Sequence, residues 1–136
     1  MAMFDVVWRL MLAAFLTGLV GLERELSHHQ AGLRTHMAVG IGASLFAVVG
    51  ATQGDTRIAA QVVTGIGFLG AGAILREGMS VSGLTTAAGL WTAAAIGVAT
   101  GVGEWQIALV ASLVLTVVLF GLRPIEAFIH RNHDDE

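Results

Sequence analysis

Five stretches of this chain are apolar for most of their length, and each stops at a short polar break. They cover residues 6–22, 35–51, 59–75, 84–102 and 105–122. A membrane-spanning helix needs about 17–25 predominantly apolar residues, so each stretch predicts a transmembrane helix with little length to spare for tilt. The third contains QVVTGIGFLGAGAILRE, a Gly-dense run that ends abruptly in Arg76 and Glu77. Chains of this kind satisfy their backbone in lipid as a bundle of helices. The predicted fold is therefore an all-α integral membrane protein, a five-helix bundle over residues 1–122. A short cytoplasmic tail over 123–136 follows. In that tail Ile125, Phe128 and Ile129 oppose Glu126, His130 and Arg131, a pattern suited to the inner membrane surface.

Composition supports lipid as the solvent. Only 12% of residues are charged and 55% are hydrophobic, against roughly 25% charged in a soluble domain; mean hydropathy is +0.77. The seven cations are all arginine, and the net charge of -3 leaves no basic field for nucleic acid. With no cysteine, disulfides, zinc thiolates and thiol catalysis are excluded. No Ser/His/Asp order, HExxH, Walker sequence or EF-hand loop is present, so the chain is not read as an enzyme. The first span is not read as a signal peptide: Asp5 precedes Arg9, and the span ends in Glu23-Arg24-Glu25 rather than at small residues. Asp5 and Arg9 stand at i, i+4 in the order that favours a helical ion pair. With the N-terminus outside, Arg24, Arg34, Arg76, Arg123 and Arg131 lie inside and only Arg9 and Arg57 outside, as the positive-inside rule requires.

The chain also repeats itself. Gly18 aligns with Gly70, Arg24 with Arg76 and Glu25 with Glu77. After a one-residue gap, Gly32-Leu33-Arg34-Thr35 aligns with Gly83-Leu84-Thr85-Thr86, and Gly50 with Gly101. Each half is a helix, an Arg-Glu turn, a Gly-Leu-x-Thr start and a second helix. Two crossings per half make this a parallel repeat of helices 1–2 and 3–4, with helix 5 outside it.

Gly65-Ile66-Gly67-Phe68-Leu69-Gly70 spells a dinucleotide fingerprint, but no acidic residue follows at the ribose position and the setting is a membrane span. Close helix packing is the better reading, because small residues let backbones touch where lipid gives no hydrophobic drive. Gly67, Gly70 and Ala71 share one face, and Gly65 and Gly72 form a second row. That places the third helix at the bundle's centre. At the ends, Glu23, Arg24, Glu25, Arg76 and Glu77 close helices 1 and 3, while Arg34, Thr35, Thr85 and Thr86 open helices 2 and 4. Glu23, Glu25 and Glu77 offer hard oxygens suited to hydrated Mg2+. Thr35 and Thr85 or Thr86 are expected as N-caps. The carboxylates of Glu25 and Glu77, poorly placed at helix C-termini, are expected to answer the next helix's exposed amides. His28-His29, in a loop without a helically spaced partner, is a weak metal candidate.

Together, the Gly-Leu-Glu-Arg-Glu motif at 21–25, Gly-Leu-Arg-Thr at 32–35, Thr-Gly-Ile-Gly-Phe-Leu-Gly-Ala-Gly at 64–72 and Gly-Leu-Thr-Thr-Ala-Ala at 83–88 resemble the MgtC/SapB family of bacterial membrane proteins. The resemblance spans about residues 10–105. It implies a bacterial inner-membrane protein tied to magnesium limitation and, in pathogens, to virulence. It further implies a non-enzymatic regulator that acts on other membrane machines such as the F-type ATP synthase, with homo-oligomers expected from the Gly-rich faces. The alternative is a small magnesium or proton transporter or channel; the spans' poverty in mid-membrane polar residues (Gln61, Ser44, Thr64 and Thr92) weighs against it. Many relatives carry a small cytoplasmic C-terminal domain after the fifth helix, where Arg123 opens the last 14 residues here.

Overall fold

The structure, a computed structural model, describes residues 1–77 and 80–122, and of Arg76, Glu77 and Ser80 the backbone alone. The expected amphipathic tail lies outside the described residues. Five helices form: α1 (Met3–Leu26), α2 (Leu33–Gln53), α3 (Thr56–Gly72), α4 (Leu84–Val102) and α5 (Trp105–Gly121). Of these, α1, α2 and α4 are long and apolar enough to cross a membrane. At 17 residues each, α3 and α5 sit at the short end of the spanning range.

The third apolar stretch ends earlier than its hydropathy indicates. α3 stops at Gly72, and Leu75–Glu77 (β1) pairs antiparallel with Ser80–Ser82 (β2), Arg76 opposite Val81. The chain then enters α4 through Gly83, whose φ of +86° is open to glycine at little cost. A Cβ at Gly83 would also collide with the carbonyl oxygen of Ala73.

α4, rather than α3, occupies the centre. Ile96 on one side packs with Leu16 of α1 and Ala108 of α5. Ala94 on the other packs with Ala43 of α2 and Ile66 of α3. α3 buries Ile66 alone among its residues. The expectation failed because the glycines that matter for close approach are elsewhere. Gly97 of α4 lies so close to α2 that a Cβ would strike the Gly40 carbonyl oxygen, and one on Gly101 would strike that of Ser44. The two glycines are four residues apart, one above the other on a helix face. They ride along α2 in the same chain direction, against the small row Gly40, Ala43, Ser44 and Ala47. This is backbone-to-backbone packing through small residues.

Side-chain bonds fix the remaining helix directions. Arg24, at the end of α1, bonds Thr86 at the start of α4. At the other end Arg9 donates to the Gly101 carbonyl at 2.6 Å, so α1 and α4 are antiparallel. Arg9 does not form the expected pair with Asp5, which instead accepts from the Ala2 amide. A cation on the last carbonyls of α4 complements the negative end of that helix's dipole. Ser112 of α5 donates to the Leu16 carbonyl at 3.0 Å. The end of α1, the start of α2, the β1–β2 hairpin and the start of α4 consequently share one end of the bundle.

Gly97→Val is expected to cost about 1–3 kcal/mol by overpacking against backbone. Gly42→Ala, where a Cβ meets nothing within 4 Å, is expected to stay within about 0.5 kcal/mol of the parent. Reversible unfolding in mixed micelles compares the two.

Candidate functional site: a buried polar knot at one end of the bundle

The charges that end α1 separate by direction. On a helix, neighbours in sequence point about a third of a turn apart, so Glu23, Arg24 and Glu25 cannot share one environment. Glu23 and Arg24 turn inward and are 1% and 4% exposed. Glu25 turns outward.

Arg24 reaches into the α1–α4 interface, where its Nη2 donates to Thr86 Oγ1 at 3.1 Å. Its Nη1 lies 3.9 Å from Glu23 Oε2. The Ser27 hydroxyl donates to the Glu23 carbonyl at 2.6 Å and also lies 3.1 Å from Glu23 Oε1. A buried guanidinium with an adjacent carboxylate and a hydroxyl acceptor has its charge balanced locally, the condition for tolerating it away from water.

His36 completes the knot from α2 and is fully buried. Its Nδ1 lies 3.0 Å from the Gly32 carbonyl; a carbonyl only accepts, so Nδ1 carries the proton. Nε2 has no hydrogen-bond partner among the described residues and abuts Gly89, where a Cβ would come within 3.3 Å of it. One helical turn and then another beyond His36 lie Gly40 and Ser44, also buried, with Ser44 Oγ equally unpartnered. The sequence reading passed over His36. The signal was available: 36, 40 and 44 form an i, i+4, i+8 row of small or polar residues on an otherwise apolar helix.

Glu25 behaves as the turn argument anticipated. Its Oε2 accepts from the Leu33 amide at 3.0 Å, answering one exposed donor at the start of α2. The carboxylate crosses directly over Gly32, where a Cβ would collide with it. The expected threonine caps are not used: Gly32 and Gly83 are the N-caps, without side-chain cap bonds. Thr86 is instead the buried acceptor for Arg24, while Thr85 is exposed. Arg34 and Thr35 are exposed on another face, beside a groove between α2 and α3.

Glu23 and Glu25 therefore face different partners. Among the described residues no group of three or more His, Cys, Asp or Glu gathers as a metal centre. The side chains of Arg76 and Glu77 lie outside the described residues. On α3, Gly70 approaches Ala87 at an ordinary 3.7 Å from its would-be Cβ, whereas Gly65, Gly67 and Gly72 have nothing within 4 Å. Ala71 is exposed.

Comparison with known proteins places this architecture. The model of the MgtC family matches residues 10–128. Protein MgtC of Salmonella typhimurium strain LT2 is 48% identical over 118 residues, which are 85% of this chain and 51% of that protein. Protein MgtC of Brucella abortus strain 2308 is 49% identical over 117 residues, 83% of this chain and 49% of the relative. The chain thus spans about half the length of the curated relatives it matches. No solved structure matches.

Arg24→Met leaves Glu23 buried without the cation and is expected to cost about 3–5 kcal/mol. Thr86→Val removes one acceptor and is expected to cost about 1–3 kcal/mol. The double change Glu23→Gln with Arg24→Met is expected to recover part of the first loss. Unfolding in mixed micelles, read as a double-mutant cycle, checks all three.

Proposed function

The chain belongs to the MgtC family, and from that premise we propose that it is a non-enzymatic regulator of the bacterial inner membrane, tied to magnesium limitation and, in pathogens, to virulence. The observation that carries this reading is where the polar groups of its helices are spent. Arg24 and Thr86 join α1 to α4, Arg9 joins α1 to the end of α4, and Ser112 joins α5 to α1. Thr17, Thr92, Thr100 and Thr116 donate to carbonyls of their own helices. Polar groups that line an ion pathway must stay available to the ion; these are committed to bonds between helices or within their own helix, and His36 Nε2 and Ser44 Oγ are left over among the described residues. That arrangement suits a protein that presents a fixed surface to a partner.

In this reading all five helices cross the membrane, with the N-terminus outside and the C-terminus cytoplasmic. Helices α1–α2 and α3–α4 form the parallel repeat, supported by the side-by-side, parallel run of α2 and α4. The polar knot and the hairpin then lie on the cytoplasmic side, available to a membrane partner such as the F-type ATP synthase. The open row Gly67 and Ala71 on α3 offers a thin face for self-association. Magnesium enters as the condition to which the protein responds. Of Glu23, Glu25 and Glu77, Glu25 is the one with a described, exposed side chain that a hydrated ion could reach.

Liposomes containing the purified chain are expected to take up no more magnesium, and to acidify no faster, than protein-free liposomes. Glu25→Gln with Glu77→Gln is expected to leave that background unchanged. Robust flux abolished by the double change would replace the regulator with a transporter.

A further inference from the structure

A groove of about 1010 Å³ runs between α2 and α3 on the outer side of the bundle. Val39 and Phe46 of α2 and Val62, Ile66 and Leu69 of α3 wall it, with Ala94 of α4 as floor. Gly42 and Gly65 also line it, and a Cβ on either would meet nothing within 4 Å. The groove is open space rather than a tight seam.

Its two ends differ in charge. At one mouth stand Arg34 and Thr35, in the first turn of α2. Arg34 is exposed, and neither a hydrogen bond nor an ion pair ties it to any described residue. Gly32 gives α2 no side-chain cap, and Glu25 answers the Leu33 amide, so the positive charge at this mouth is that of Arg34. Near the far end, by Ile58, Arg57 and Asp55 neutralise each other through bonds of 3.0 and 3.1 Å. Gln61 is a further polar group in the lining, towards that end.

We propose that this groove binds one anionic phospholipid, its phosphate on Arg34 at the start of α2 and an acyl chain along Val39, Val62 and Ile66. Two observations select that occupant. The first is charge: a cation without a partner among the described residues, at the mouth of an apolar slot, matches a ligand with one anionic end and an apolar body. A zwitterionic lipid brings its own cation to Arg34, and a helix from a second copy would fill the slot and leave Arg34 unanswered. The second is length. From position 34 to position 46 a helix rises about 18 Å, close to the depth of one leaflet, about half of the roughly 30 Å hydrocarbon core. The proposal needs the chain to be in a membrane but does not rest on the regulatory reading.

Native mass spectrometry of the purified chain, titrated with phosphatidylglycerol and separately with phosphatidylcholine of the same acyl chains, tests it. Phosphatidylglycerol is expected to be retained preferentially. Arg34→Gln is expected to weaken its binding about fivefold, to the phosphatidylcholine level. Gly42→Leu with Gly65→Leu is expected to fill the slot and weaken both lipids. Circular dichroism confirms that each variant keeps its helices, and Arg34, exposed and unbonded, is the variant least exposed to misfolding. Equal retention of the two lipids by the parent chain would overturn the proposal. Parental affinity in Arg34→Gln would do the same, as would a lipid-excluding dimer that Gly42→Leu dissociates.

Discussion

The structure depends on how closely α2 and α4 approach. Lipid tails are as apolar as leucine, so helices in a bilayer gain little by hiding greasy surface from one another. What remains is dispersion, which falls off steeply with distance, and polar contacts that only short distances allow. Gly97 and Gly101 bring α4 onto the carbonyls of Gly40 and Ser44. No other side chain at those two positions leaves the backbones where they are. Once α2 and α4 touch, α1 has a shared groove to lie in, and its own Gly21 fits against Leu33 and His36.

The polar knot follows from that approach. Arg24 reaches Thr86 because α1 and α4 are held in contact at this end, and His36 is buried because Gly89 and Gly21 leave room for its ring. A buried charge is tolerable only with its partners in place. The knot therefore depends on the glycine seam more than the seam depends on the knot. It also sits at a helix end, within one turn of the last residues of α1 and the first of α2 and α4.

Much of this was legible in the chain. Hydropathy located the five helices, since lipid makes the apolar run itself the signal; α4 spans residues 84–102 as read. The Glu25 turn was legible because a carboxylate at one helix's end and uncapped amides at the next have one economical solution. What hydropathy cannot see is direction around a helix. The densest glycine run, in α3, looked like the centre, yet two spaced glycines in α4 make the seam. Density marks flexibility of packing, whereas spacing of four marks a face. The end of α3 was also misplaced, because Ile74 and Leu75 are as apolar in a strand as in a span. Thr35 and Thr85 or Thr86 looked like caps, but Gly32 and Gly83 took the cap positions: the Glu25 carboxylate lies over Gly32, and the Ala73 carbonyl excludes a Cβ at Gly83.

The same logic sets α3 apart from its neighbours. It buries Ile66 alone, meets α4 near Gly70 without a tight seam, and leaves Gly65, Gly67 and Gly72 uncovered. Local stability tracks buried contact, so α3, like α5 with Ala108 and Ser112 alone buried, shifts at less cost than the α1–α2–α4 core. A groove lies along one of its sides and a thin row of small residues along another. A bundle with a close seam and lightly held outer helices has a natural division of labour: the seam keeps the polar knot in register, and α3 and α5 are the elements that move with the least loss of buried contact.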